Sequence, residues 1–344
     1  MPRRALILIV AGAAVVIAAV VAAVLPVPYV ILSPGPTLNT LGTGPGGKPL
    51  IQITGHRTYP TAGNLNMVTV NFQGGPGNEI NIFTALRAWL SAHDAVVPQQ
   101  ELFGPGQSQQ QVQRQDVVQM TNSEANATAA ALTEAGIKFK TQVQVISTEP
   151  GMPAARALLP RDIITKVNGV PIDSVTGLSQ QIRAQGAGHP LRLTVTRHGR
   201  TKLVNVTAVR SQGHPVIGVV VTVKFIFPFT VNISVGNIGG PSAGLMFALG
   251  IVDKLRPVNL TGGRFIAGTG EITPAGMVEP IGGIQQKMAG ARTKGATVFL
   301  APAGNCADAR GAVPAGMRLI RVSTLAGAVR SLEALKAGRP VPSC

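Results

Sequence analysis

Twenty-one residues without a charge, Ala5 to Leu25, follow the basic pair Arg3-Arg4. As a helix rising about 1.5 Å per residue, the run covers about 31 Å, the thickness of a bilayer's hydrocarbon core. Later apolar stretches are broken by Gly, Pro and polar residues. The chain therefore reads as one anchor followed by folded domains, not as a polytopic membrane protein. No Lys or Arg lies between Arg4 and Lys48, and the first acid is Glu79. The positive-inside rule then keeps the N-terminus cytoplasmic and puts everything after Pro26 outside. A cleaved signal peptide would have a shorter apolar core and a small-residue cleavage site. This run is longer and ends in Leu25-Pro-Val-Pro28, which favours a retained single-pass anchor.

The 344 residues leave room for about two folded units. Charged residues are 13% of the chain, against about 25% in ordinary soluble domains, and Cys numbers two. That excludes a coiled coil, a disulfide-dense scaffold and a charge-rich disordered chain. The net charge of +16 comes from 14 acids as much as from 30 bases. The bases are scattered and lack interleaved aromatics, so a nucleic-acid partner is not expected. A solvated basic exterior, or attraction to anionic headgroups, accounts for the charge. Cys306 and Cys344 both fall on the outer side, where disulfides persist. Bridged, they would close a loop of about 39 residues worth roughly 4 kcal/mol in the loop-entropy model; two unrelated thiols are the other reading.

Two motifs mislead. Gly42-Thr-Gly-Pro-Gly-Gly47-Lys48 imitates a phosphate loop, but the residue that should ligate magnesium is Pro49. A phosphate loop also needs a strand before it and a helix after it, and this one reads as a flexible juxtamembrane loop. Gly240-Pro-Ser242-Ala-Gly244 imitates the nucleophile elbow of α/β-hydrolases, which requires a later histidine. The five histidines end at His214. If Ser242 is a nucleophile, histidine is not its expected base.

Residues 241–254 read as a mostly buried helix with Pro241 at its start and Ser242 in its first turn. Unpaired N–H groups and the positive dipole end lie there, and Gly239, Gly240 and Gly244 permit close backbone approach. A plain N-cap serine fits this segment equally well. Downstream of Gly282-Gly283, Ile284, Lys287, Met288 and Ala291 share one helical stripe. Lys287 thus lies on the apolar face. It either snorkels out or, buried without an acid partner, becomes a base near neutral pH.

The runs Gly239-Gly-Pro-Ser-Ala-Gly244, Gly268-Thr-Gly-Glu-Ile272 and Glu279-Pro-Ile-Gly-Gly283 with Lys287 resemble the proteolytic domain of Lon-type serine proteases. The resemblance implies Ser242 as nucleophile and Lys287 as its base. It also implies Thr269 as a hydrogen-bond partner of the lysine, with Gly240 and Pro241 as supporting residues. ATP-dependent Lon enzymes usually carry an acid three residues before the serine, where this chain has Gly239. No ATPase module accompanies the motifs, so the expected activity is ATP-independent and needs no cofactor or metal.

Residues 141–209 read as strand, Asn168-Gly169 turn, strand, short helix and hairpin. This is similar to a bacterial PDZ domain, which binds an extended peptide, often a C-terminus, as an added strand. The Gly-Asp pair usual there is Arg161-Asp162. Gly136, Ile137, Leu178 and Ile182 are the expected groove residues. In this order, the parts resemble the membrane-anchored PDZ-containing Lon-like serine proteases (YlbL-like family) of bacteria.

The expected fold class is α+β, with a transmembrane helix, a PDZ-like β-rich domain and a Lon-type proteolytic domain. The expected divisions are 1–26 (cytoplasmic stub and anchor), 27–135, 136–210 (PDZ-like), 215–335 (proteolytic) and 336–344 (tail). Within 27–135, residues 50–72 read as two strands that join the catalytic sheet, and residues 85–135 as helices around a polar linker, Gln107 to Gln115. The expected function is a serine endopeptidase of the bacterial cell membrane with its catalytic domain extracytoplasmic. Its partners are protein or peptide substrates, recognised through their C-termini, and copies of itself, a hexamer by family resemblance. The competing reading is a membrane-tethered PDZ adaptor with a vestigial protease domain.

Overall fold

In the computed structural model, which describes residues 3–257 and 259–344, Arg3–Val24 is one helix with no buried residue. By length and composition it is able to cross a membrane. The rest is a mixture of helices and strands in two compact units. One comprises the chain up to Ile137 together with Phe229–Cys344; the other is Lys138–Pro228.

The first unit is built on a six-stranded sheet. Its spatial order is Arg318–Val322, Val298–Pro302, Phe265–Gly268, Asn64–Gly74, Tyr29–Asn39 and Ala95–Pro98. The first four run parallel, and Tyr29–Asn39 is antiparallel to both of its neighbours. Val298–Pro302 is buried at every position, as a central parallel strand covered on both faces should be. Helices lie on opposite faces. Ile284, Met288 and Ala291 of helix Ile284–Thr293 pack with Val68, Ala267 and Phe299. On the other face Gly268 meets helix Gly244–Leu255, where an added Cβ would stand 2.8 Å from Met246 Sδ. That helix is buried on nearly every side, which suits its uninterrupted apolar sequence. Cys306 and Cys344 form a disulfide that ties the C-terminus to this unit.

Three segments differ from the sequence reading. Tyr29–Asn39, to which the sequence reading gave no element within 27–135, is a sheet strand. Val30, Ile31 and Leu32 are buried in it, and the prolines are accommodated where the register shifts between Pro34 and Thr37. The glycine-rich loop after it is a bonded turn, with Gly44 N–H donating to Lys48 O and Leu50 N–H to Gly42 O. The Gln-rich stretch, expected as a linker, opens the 26-residue helix Gln109–Glu134, started by a Ser108/Gln111 capping box. This helix buries mostly small residues, Ala127, Thr128, Ala129, Ala130 and Ala131 among them, which is why no apolar stripe announces it.

The second unit is an antiparallel sheet ordered Arg200–Thr207, Pro190–Arg197, Ile163–Val167, Lys140–Thr148 and Val219–Ile226. Helix Val175–Gln185 closes it through Leu178 and Ile182, which sit in the core with Leu191, Leu193 and Val195. Buried Asp162 takes a two-pronged hydrogen bond from Arg197, at 2.7 and 2.8 Å.

Candidate active site

Three chain segments meet beyond the C-terminal end of strand Phe265–Gly268. That end is where parallel strands customarily present ligand sites. The first is the turn Gly239–Ala243, which leads into helix Gly244–Leu255. Ser242 lies just before this helix, whose N-cap is Ala243, and not in its first turn as expected. Gly240 has φ +88°, a left-handed conformation that glycine adopts without strain. The Ser242 carbonyl accepts from Gly270 N–H at 2.8 Å and from the Thr269 hydroxyl at 2.9 Å. Fully buried Thr269 therefore fixes the serine's backbone; it does not bond the lysine.

The second segment carries Lys287. Gly283 starts its helix with φ +67°, and an added Cβ there would meet Val70 at 2.8 Å. Lys287 is 4% exposed, and its Nζ donates to Ser242 Oγ at 3.1 Å. Burial lowers its pKa from the ordinary 10.5 to about 8. Buried Asn305, which the sequence reading did not single out, holds the approach to Gly282-Gly283. Its Oδ1 accepts from Ile281 N–H at 2.9 Å, and its Nδ2 donates to Ile281 O at 2.8 Å. Asn is a common loop residue, and no spacing rule marked this one.

The third segment is helix Gln109–Glu134. Its Asp116 carbonyl accepts from Gly240 N–H at 3.2 Å, and its Ser123 hydroxyl donates to Pro241 O at 2.9 Å. Gly240 and Pro241 are thus clamped from one helical face, and the Gly240 N–H is committed to that clamp. Among the described residues the N–H groups of Ser242 and Ala243 carry no backbone partner. The cleft above the pair holds about 490 Å³ and is lined also by Met67, Thr69, Phe72 and Met120. Asp116 lines it as well, and partial burial raises its pKa. Strand Asn64–Gly74 pairs with Phe265–Gly268 only as far as Met67. Its later residues, from Val68 to Phe72, line the cleft with a ladder partner on one side alone.

In the second unit, a groove of about 510 Å³ lies between helix Val175–Gln185 and edge strand Val219–Ile226. Leu178 and Ile182 line it together with Val216, Ile217 and Gly218. Gly136 and Ile137 are not among its lining residues. Gly136, at φ +72°, ends helix Gln109–Glu134, and Ile137 N–H closes back onto Leu132 O. Lys140–Thr148, the strand they precede, is internal to its sheet, so the groove's strand comes from the C-terminal end of the unit.

Comparison with known proteins finds likenesses in two stretches of the chain. Residues 118–208 match the PDZ domain family, and residues 231–331 match the Lon protease (S16) C-terminal proteolytic domain. Lon protease 1 of Sorangium cellulosum is 49% identical over 71 residues, which is 20% of this chain and 8% of that protein. The Lon protease of Heliobacterium modesticaldum is 43% identical over 81 residues, 23% of this chain and 9% of that protein. The matched segments thus span under a tenth of these relatives' length. Among solved structures, the PDZ domain of an SdrC-like protein from Listeria monocytogenes matches at 22% identity and a TM-score of 0.22, covering 23% of this chain and 85% of that one.

The chain therefore carries a PDZ domain and a Lon-type C-terminal proteolytic domain.

Proposed function

We propose that the chain is a membrane-anchored, ATP-independent serine endopeptidase in which Ser242 and Lys287 form the catalytic pair. The observation that carries the reading is the 3.1 Å contact between Ser242 Oγ and the amine of a lysine that is 4% exposed. In its neutral form the amine accepts the serine proton while Oγ attacks the scissile carbonyl. The ammonium so formed then protonates the leaving amine. Oxyanion charge develops beside the N–H groups of Ser242 and Ala243, at the head of a buried helix. An extended substrate adds alongside Val68–Phe72, and the PDZ groove holds another stretch of it against Val219–Ile226. None of these steps consumes a nucleotide.

The test uses the full chain in membranes with an unfolded protein as substrate, with and without ATP. Wild type should cleave equally in both conditions, and Ser242→Ala should bind substrate without cleaving it. Binding without cleavage by wild type would favour an adaptor. Cleavage by Ser242→Ala would remove the serine from the mechanism.

A further inference from the structure

Helix Ile82–Trp89 has two faces of unlike kind. Ala85 and Ala88 are buried against Ile31 and Ile80. At about 100° per residue, Phe83, Leu86, Trp89 and the adjoining Leu90 share an arc of about 120°, with Arg87 at its rim. All four apolar side chains are exposed, Trp89 by 73% and Leu90 by 80%. Buried small residues on one side and exposed large ones on the other reverse the usual order of a surface helix.

What covers this face follows from where the helix is tied. The anchor-length helix ends at Val24, and Pro26–Val27 pairs with Ile80–Asn81 immediately afterwards. Asn81 then caps the Ile82–Trp89 helix through its side chain, which accepts from Thr84 N–H at 2.9 Å. Strand neighbours lie about 5 Å apart, so this helix begins within one strand's width of the chain leaving the anchor. Tryptophan, with flanking arginine, is the composition of the bilayer–water interface.

We infer that Phe83, Leu86, Trp89 and Leu90 form a lipid-docking face that lies in the bilayer's headgroup–acyl boundary and holds the catalytic unit against the membrane surface. The inference rests on the reading of Arg3–Val24 as a membrane anchor. It adds a second attachment, so that the catalytic unit is seated on the bilayer and not hung from one flexible point. An interfacial helix sinks its apolar side chains about 5–10 Å.

The chain supplies its own probe, since Trp89 is its one tryptophan. The full-length protein would be reconstituted into phosphatidylcholine/phosphatidylglycerol vesicles carrying lipids brominated either near the headgroup or near the chain ends. Flotation on a density gradient reports the anchor separately. The expected result is co-flotation, blue-shifted Trp89 emission, and strong quenching by the shallow bromines with weaker quenching by the deep ones. Leu86→Gln with Leu90→Gln, both exposed positions, should float equally while losing most of the quenching. Co-flotation with water-like, unquenched emission overturns the docking face and leaves the anchor standing. Blue-shifted emission that bromine does not quench assigns the face to protein contact, such as a second copy, and also overturns it. Failure to float refutes the anchor and the docking face together.

Discussion

Replacing Lys287 by methionine should abolish hydrolysis while making the protein more stable. Burial brings the lysine pKa down to about 8 from 10.5. Between those values the unfolded chain holds the proton and the folded chain does not, so stability climbs with pH from about 8 to about 10.5. Below pH 8 both states are protonated, and the folded state bears the whole cost of a buried charge. A shift of about 2.5 units corresponds to about 3 kcal/mol. Methionine removes that cost but leaves Ser242 Oγ without its partner, worth about 1 kcal/mol. The net gain at pH 7 is about 2 kcal/mol, or about 4–8 °C in Tm for a unit of this size. The same pKa sets the kinetics of the wild type. Only about a tenth of the amine is neutral at pH 7, so kcat/KM should rise roughly tenfold per pH unit up to about pH 8 and then level off. Calorimetry at pH 7 and pH-resolved peptide hydrolysis read the two effects. A Lys287→Met protein that cleaves, or one that melts below wild type, would refute the reasoning. So would a wild-type profile that is flat from pH 6 to 9.

Other expectations rest on separate contacts. Asn305→Ala removes two buried hydrogen bonds to Ile281 and should lower kcat more than it raises KM, with a stability loss of about 2–3 kcal/mol; unchanged kcat would deny it a positioning role. Arg161 sits at φ +74°, where a side chain is strained, so Arg161→Gly should stabilise the PDZ unit by roughly 1 kcal/mol, measured by urea unfolding; destabilisation would count against the strain. Asp253 is buried, its Oδ2 is unpaired among the described residues, and its pKa is raised to about 6. From about pH 4 to 6 the unfolded state is ionised and the folded state is not, so stability should fall with rising pH across that window, and Asp253→Asn should flatten the slope. An unaltered slope in that variant would assign the titration elsewhere.

Local pattern placed Ser242 by the start of an apolar helix and Lys287 in register with Ile284, Met288 and Ala291, and the resemblance to Lon-type proteases paired the two. The hydrogen bond that Thr269 makes depended on how the backbone of Gly268–Gly270 passes Ser242, which no periodicity encodes. Helices were expected within 85–135, but the Gln-rich opening of Gln109–Glu134 was read as a linker, because glutamine on an exposed face carries no apolar stripe. Tyr29–Asn39 was obscured by two prolines that a register shift accommodates. Leu178 and Ile182 were expected at the groove from the PDZ resemblance, on a helix read from its amphipathic spacing. The groove's strand was not, because its place at the sheet edge follows from topology, with Val219–Ile226 outside the earlier strand Lys140–Thr148.

The pairing of Asn64–Gly74 with Phe265–Gly268 also dictates an order of events during synthesis. The first strand leaves the ribosome about two hundred residues ahead of its parallel neighbour, a wait of roughly 10–40 s at about 5–20 residues per second. Tyr29–Asn39 is already available to cover one side of it. The other side, next to Leu65 and Met67, stays open throughout, an unpaired apolar edge of the kind that recruits chaperones or aggregates. The contiguous PDZ unit, with a core of its own, is made entirely within that interval. The nascent chain is therefore most vulnerable just before Phe265–Gly268 is translated.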